Sequence, residues 1–251
     1  MSTESLIVLA TVFFLTTIVG VVTGSNSLIN VPAMFQLGID PKVAVATNMF
    51  GLFFMSIGGT IPFVRQRRID YTRTWPLVAI TLVSSAIGAL LVGLMTGNGM
   101  KLAVTISMMV VIVFTLAHRD AGLEANVPGR YGLPIAYLLT FLLGIYGGFY
   151  SGGYVTMLTA VCVGIYGMTY GSAVAATKLI NVFSCAIAAA IFMWQGLVDY
   201  KLGALLATVI FAGGYVGAHF ATKMDDKLLR RIFLTAVVLL AIKTLYDLTL
   251  S

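Results

Sequence analysis

The sequence predicts an all-α polytopic membrane protein built from two inverted five-segment repeats, each with a short or broken second helix. Three observations carry this. Hydrophobic residues make up 59% of the 251 and charged residues 10%, with a mean hydropathy of +1.01. Globular domains carry about a quarter charged residues. Apolar runs recur from end to end, and a helical span needs about 20 residues. Finally, the two halves match at one constant offset. The runs do not alternate apolar and polar residues, as barrel strands would.

In chain order the apolar segments are 5–23, 27–38, 43–64, 75–96 and 100–117, then 131–149, 154–165, 171–194, 202–221 and 229–248. A polar stretch, HRDAGLEANVPGR, separates the fives. This gives a first membrane repeat over 1–117, a linker over 118–130 and a second repeat over 131–251. The start, MSTESLIVLATVFFLTTIVGVV, has no Lys or Arg before its apolar run and no small-residue cleavage site. It reads as a retained first span rather than a secretory signal. The second segment of each half is only about 18 Å long as a helix, too short for a full straight crossing.

Shifting the sequence by 129 brings Ala44-Val45-Ala46 onto Ala173-Val174-Ala175. Phe54 meets Phe183, Gln66 meets Gln195, Asp70-Tyr71 meets Asp199-Tyr200, and Gly88-Ala89 meets Gly217-Ala218. Such repeats mark transporter folds. Loop charges give their relative sense. Arg65, Arg67, Arg68 and Arg73 follow the third segment, and only Lys101 follows the fourth. The second half reverses this, with Lys201 alone after its third segment and Lys223, Lys227, Arg230 and Arg231 after its fourth. Basic excess marks the cytoplasmic side. Equivalent loops then lie on opposite sides, and ten segments with both termini outside are expected. Re-entrant short segments would instead give eight spans and a parallel repeat.

The net charge of +6 sits mostly in these loops, so topology explains it and no nucleic-acid partner is expected. No G-x4-G-K-[ST] loop is present. Neither an enzyme nor a cofactor nor a metal is predicted. Cys162 and Cys185 lie 23 residues apart in apolar segments and suggest no metal or disulfide framework.

Two features point to a binding site. The first is a pair of glycine-rich breaks, GVVTGSNSLINVP at 20–32 and GIYGGFYSGGYVT at 144–156. By position in the breaks, Gly144, Gly148 and Ser151 answer to Gly20, Gly24 and Ser27. Irregular backbone at membrane depth is tolerated only where it is buried or lines a cavity. Helices restarting there would offer free N–H groups to an anion. The glycines also suit close helix packing; their paired place beside short segments favours a site. The second feature is Lys178, inside AVAATKLINVF and about 10 Å of helix rise from Gly171. A charge in a span costs about 2.5–3.5 kcal/mol on insertion scales and usually faces a cavity. Snorkelling to an interface is the alternative. Thr177 and Asn181 beside it, polar Thr47-Asn48 at similar depth in the first half, and the lack of a carboxylate in that helix favour a site for an anion. His219, near the end of its segment, reads as interfacial.

The string GVVTGSNSLINVPAMFQLGIDPKVAVATN, residues 20–48, resembles the TauE/SafE family of sulfite and organosulfonate exporters. So do the second copy, GGFYSGGYVTM with AVAATKLINVF, and the VDYK turn at 198–201. The resemblance covers about residues 6–245. It implies transport of sulfur oxoanions across the bacterial inner membrane. Ser27, Pro32, Thr47, Ser151, Gly152, Gly153 and Thr177 match family positions. Ser25-Asn26-Ser27-Leu28 replaces a frequent glycine run, and Asn48 and Lys178 stand where a Ser often follows the Thr.

The expected function is secondary transport of a small sulfur-containing anion. Lys178 would supply charge. Asn26, Ser27, Thr47, Asn48, Ser151, Thr177, Asn181 and the backbone of Gly152 and Gly153 would supply hydrogen bonds. Tyr150, with Tyr146 and Tyr154, would line or gate the path or else sit at the membrane interface. A thiol relay or thiosulfate uptake protein using Cys162 and Cys185, and a non-transporting scaffold, are the rivals. The expected partners are the small anionic substrate and the lipid bilayer, and the sequence permits a homodimer.

Overall fold

The computed structural model describes residues 3–24, 26–117 and 132–225, with residues 228, 231 and 235. The linker at 118–130 and most of the segment at 229–248 lie outside the described residues. The described chain is helical: α1 (Thr3–Thr23), α2 (Ser27–Gln36), α3 (Pro41–Arg65), α4 (Tyr71–Leu94), α5 (Gly97–Ala117), α6 (Gly132–Phe149), α7 (Tyr154–Gly164), α8 (Tyr170–Trp194) and α9 (Tyr200–Ala221). Five of these, α3, α4, α6, α8 and α9, are long and apolar enough to cross a membrane. Their outer faces carry exposed Val83, Leu138, Leu142 and Leu205, which suits contact with lipid.

Capping residues set the helix starts. The Asp40 side chain accepts from the N–H groups of Lys42 and Val43, and Thr169 accepts from Ser172. Asp70 accepts from Arg73 N–H and Asp199 from Leu202 N–H. Each satisfies N–H groups that the first turn leaves unpaired. This is why α4 begins at Tyr71, four residues before the apolar run at 75.

The turns repeat as well. Positive φ occurs at Gly24 (72°), Gly38 (77°), Gly153 (76°), Gly167 (74°), Gly196 (69°) and Arg67 (52°) among the described residues. These six form three pairs 129 apart: Gly24 with Gly153, Gly38 with Gly167, and Arg67 with Gly196. The pairing corrects the register expected across the breaks. Gly153, not Gly148, is the counterpart of Gly24. Gly148 is inside α6, where a Cβ would overlap the Ser85 carbonyl.

Glycines also set the helix packing. α6 lies along α4, with Gly144 against Thr81 and Ser84 and Gly148 against Ser85. α1 lies along α9, with Gly213 against Phe14 and Thr17 and Gly217 against Ile18 and Val21. In both pairs the contacts climb together, so the helices run in the same sense. Gly88 meets the Ile145 carbonyl and Gly217, its repeat counterpart, meets that of Ile18. Each repeat's first helix therefore packs on the other repeat's fourth.

α3 also runs in the sense of α9. Thr47 Oγ1 accepts from Asp199 N–H at 3.0 Å, Gly51 faces Ile210, Met55 faces Gly214, and Gln66 Nε2 donates to Thr222 Oγ1 at 2.8 Å. Since α1 and α3 share one sense, α2 must carry the chain back between them. α8 meets α3 in falling register, with Ser56 at Asn181 and Gly59 at Lys178. The turn at Gly38 sits by the end of α4, where Lys42 Nζ donates to Gly93 O at 3.1 Å. Its counterpart at Gly167 sits by the start of α4, accepting from Arg73. Trp75 and Trp194, both exposed, mark opposite ends of the bundle, as interfacial aromatics do.

Candidate functional site

The two breaks meet. α1 stops at Thr23 because Gly24 turns with φ 72°, a conformation that favours glycine. In the second break Gly153 turns with φ 76° and α7 starts at Tyr154. A Cβ on Gly24 would lie 2.9 Å from Thr156 N, so the start of α7 seats against the first break. Thr156 Oγ1 donates to Thr23 O, and Tyr150 OH donates to Ser27 O at 3.1 Å. Gly152 lies against the Tyr150 ring and its carbonyl accepts from Tyr146 OH. Tyr150 and Ser151 are buried beside it.

Asn26 precedes α2 but does not cap it with its side chain. Its Nδ2 instead donates to Met55 Sδ at 2.8 Å, in space that the missing side chain of Gly20 provides. Ser27 Oγ accepts from Asn48 Nδ2 at 3.0 Å. Farther along α3, Ser56 Oγ accepts from Asn181 Nδ2 at 2.6 Å, and Asn181 Oδ1 accepts from Cys185 Sγ at 3.6 Å. Ser85 and Ser184 hydroxyls are 2.7 Å apart, and Ser85 also donates to Gly144 O. A buried polar seam thus follows α3 and α8 between apolar walls.

Lys178 lies on this seam. Its side chain is 0% exposed and Nζ has no hydrogen-bond partner. Among the described residues it is the one buried charged side chain; Asp40, Asp70, Asp199 and Asp225 are all exposed. The lysine stem passes Gly59 of α3, whose Cβ would stand 3.8 Å from Lys178 Cδ, 2.9 Å from Val21 Cγ2 and 3.8 Å from Gly214 O. Glycine at 59 leaves room for the lysine among α1, α3, α8 and α9. Asn181 and Cys185 follow one and two turns on along α8. Such burial argues against snorkelling, which keeps the charged head in water. A buried charge without a partner is costly unless something completes it.

The expected residues therefore fall into groups. Asn26, Ser27, Asn48, Tyr150, Ser151, Gly152 and Gly153 gather at the breaks. Lys178 and Asn181 join Ser56 one layer away, bridged to the first break through Gly59 and Val21 and through Met55 and Asn26. Thr47 stands apart, anchoring the turn before α9. Thr177 turns back to Val174 O at 3.1 Å, with Thr159 at 3.4 Å. Ser56, Ser85 and Ser184 escaped the sequence reading. A signal for Ser56 existed: it stands two turns beyond Asn48 on the same face of α3.

The family profile described as "Sulfite exporter TauE/SafE" matches residues 8–244. The chain belongs to the TauE/SafE family. Its relatives cover almost its whole length. "Probable membrane transporter protein YfcA" of Escherichia coli (strain K12) is 26% identical over 244 residues, 96% of this chain and 91% of that one. A "Probable membrane transporter protein" of Haemophilus influenzae is 24% identical over 248 residues, 97% of this chain and 96% of that one. "Probable membrane transporter protein YunE" of Bacillus subtilis is 23% identical over 240 residues, covering 88% and 86%. No solved structure matches significantly. This TauE/SafE protein is a polytopic membrane protein of a transporter family.

Proposed function

We propose that this protein is a secondary transporter, and by its family name an exporter, of a small sulfur-containing anion such as sulfite or an organosulfonate, in a bacterial inner membrane. The observation that carries the reading is the fully buried Lys178 ammonium with no partner in the protein. An anion is the missing partner, and charge-assisted hydrogen bonds to it are strong. Asn181 and Ser56 stand next to the lysine to donate, and Asn26, Ser27, Asn48 and Ser151 line the breaks that lead to it.

The two halves act as inverted repeats. Two facts support this: equivalent turns lie at opposite ends of α4, and α3 and its counterpart α8 pack in opposite senses. The basic turn with Arg65, Arg67 and Arg68 shares an end with Lys223 through the Gln66–Thr222 bond. Positive-inside bias makes that end cytoplasmic. Access alternates by rocking of one repeat against the other, as in other inverted-repeat transporters.

The test is sulfite uptake into proteoliposomes, wild type beside Lys178→Ala and Lys178→Arg. The reading expects uptake in wild type, loss in Lys178→Ala and partial retention in Lys178→Arg. Normal uptake by a folded Lys178→Ala protein would overturn it.

A further inference from the structure

We infer that the Lys178 site selects singly charged anions and rejects dianions of the same size. The inference deepens the reading of Lys178 as the substrate's anchor and rests on it. It follows from counting charge. Lys178 is the one buried cation among the described residues. The repeat does not supply a second, because the position 129 before Lys178 is Met49, itself 1% exposed. The other side chains on the seam, Ser56, Asn181, Ser184 and Cys185, carry donors but no positive charge.

A monoanion on Lys178 makes a neutral pair. A dianion leaves one uncompensated negative charge among four packed helices, where unpaired charge is expensive. The donor set also suits a singly charged tetrahedral group. The ammonium offers three N–H donors, Asn181 one beyond its bond to Ser56, and Ser56 its hydroxyl proton, and a sulfonate spreads its one charge over three oxygens. The class favoured is therefore sulfonates and hydrogen sulfite. Sulfate, thiosulfate and fully ionised sulfite are disfavoured.

Labelled methanesulfonate and sulfate test this as a matched pair, since both are tetrahedral and differ by one charge at neutral pH. The full-length protein in proteoliposomes should take up methanesulfonate roughly tenfold faster than sulfate or more, given the cost of unpaired charge in a span. Lys178→Arg should keep that preference, and Lys178→Gln should lose methanesulfonate uptake. Equal rates for the two anions, with Lys178→Gln inactive, would overturn charge selection and leave the site standing. Uptake of both by Lys178→Gln, or of neither by wild type, would overturn the site and the inference together.

Discussion

Asn181 Nδ2 donates to Ser56 Oγ at 2.6 Å, joining α8 to α3 one helical turn from Lys178. Both side chains are buried. Removing one partner strands the other, which costs about 1–3 kcal/mol for a buried polar group. Asn181→Ala should therefore lower the thermal unfolding temperature in detergent and weaken sulfite binding. Ser56→Ala should do the same to a smaller degree. A double-mutant cycle on unfolding should return a favourable coupling between the two positions.

Glycine substitutions should separate packing from open space. A Cβ at Gly217 or Gly88 would overlap a carbonyl oxygen of the neighbouring helix. Gly217→Val and Gly88→Val should each destabilise by about 1–3 kcal/mol, the usual range for overpacking. Gly164, at the end of α7, has nothing within 4 Å of its would-be Cβ. Gly164→Ala should be neutral or stabilising by up to about 1 kcal/mol, because Ala favours helix over Gly. Unfolding curves of the three variants give the comparison.

Arg67 has φ 52° where the other repeat has Gly196 at 69°. A side chain in that region costs about 1–2 kcal/mol. Arg67→Gly should raise the unfolding temperature, and Gly196→Ala should lower it. A fall for Arg67→Gly would show that the arginine contributes more at that end than the backbone conformation costs.

Arg73 donates to the carbonyls of Gly167 and Tyr166 at 3.3 and 3.0 Å and stacks on the Tyr166 ring at 5.2 Å. Tyr166 OH returns a bond to Arg73 O at 3.0 Å. This clamp ties the start of α4 to the turn before α8. At the repeat-related positions stand Leu202 and Leu37, which cannot build it. Arg73→Lys should lose the two-point grip and destabilise by about 1 kcal/mol or more, as for a hydrogen bond to a charged group. Tyr166→Phe should cost less, about one neutral hydrogen bond. Unfolding measurements on the two variants give the ranking.

Much of this was legible in the sequence, for physical reasons. Span limits followed from apolar runs, while the caps at Asp40, Asp70, Thr169 and Asp199 that set the helix starts emerged only in the structure. The 129-residue repeat showed wherever both copies kept identical residues. The register of the breaks did not, because Gly148 and Gly153 look alike in a sequence and only φ tells a packing glycine from a turning one. Lys178 stood out because a charge in an apolar run is rare. Ser56, Ser85 and Ser184 did not, since hydroxyls in spans often bond their own helix, as Thr60 does to Ser56 O. That Thr47 accepts from Asp199 N–H at the turn before α9 was not legible, because depth can be counted along a sequence and the face of the helix cannot.

The central claim is that Lys178 is held unpaired to receive an anion, at a cost to the empty protein. The most direct measurement is thermal unfolding of wild type and Lys178→Met, each with and without sulfite. Replacing buried charge by apolar volume is often neutral or stabilising by about 1–4 kcal/mol, and a ligand stabilises only the state that binds it. The account predicts that Lys178→Met unfolds at a higher temperature than wild type without sulfite and shows no shift when sulfite is added. A lower unfolding temperature for Lys178→Met, with the sulfite-dependent shift intact, would contradict it.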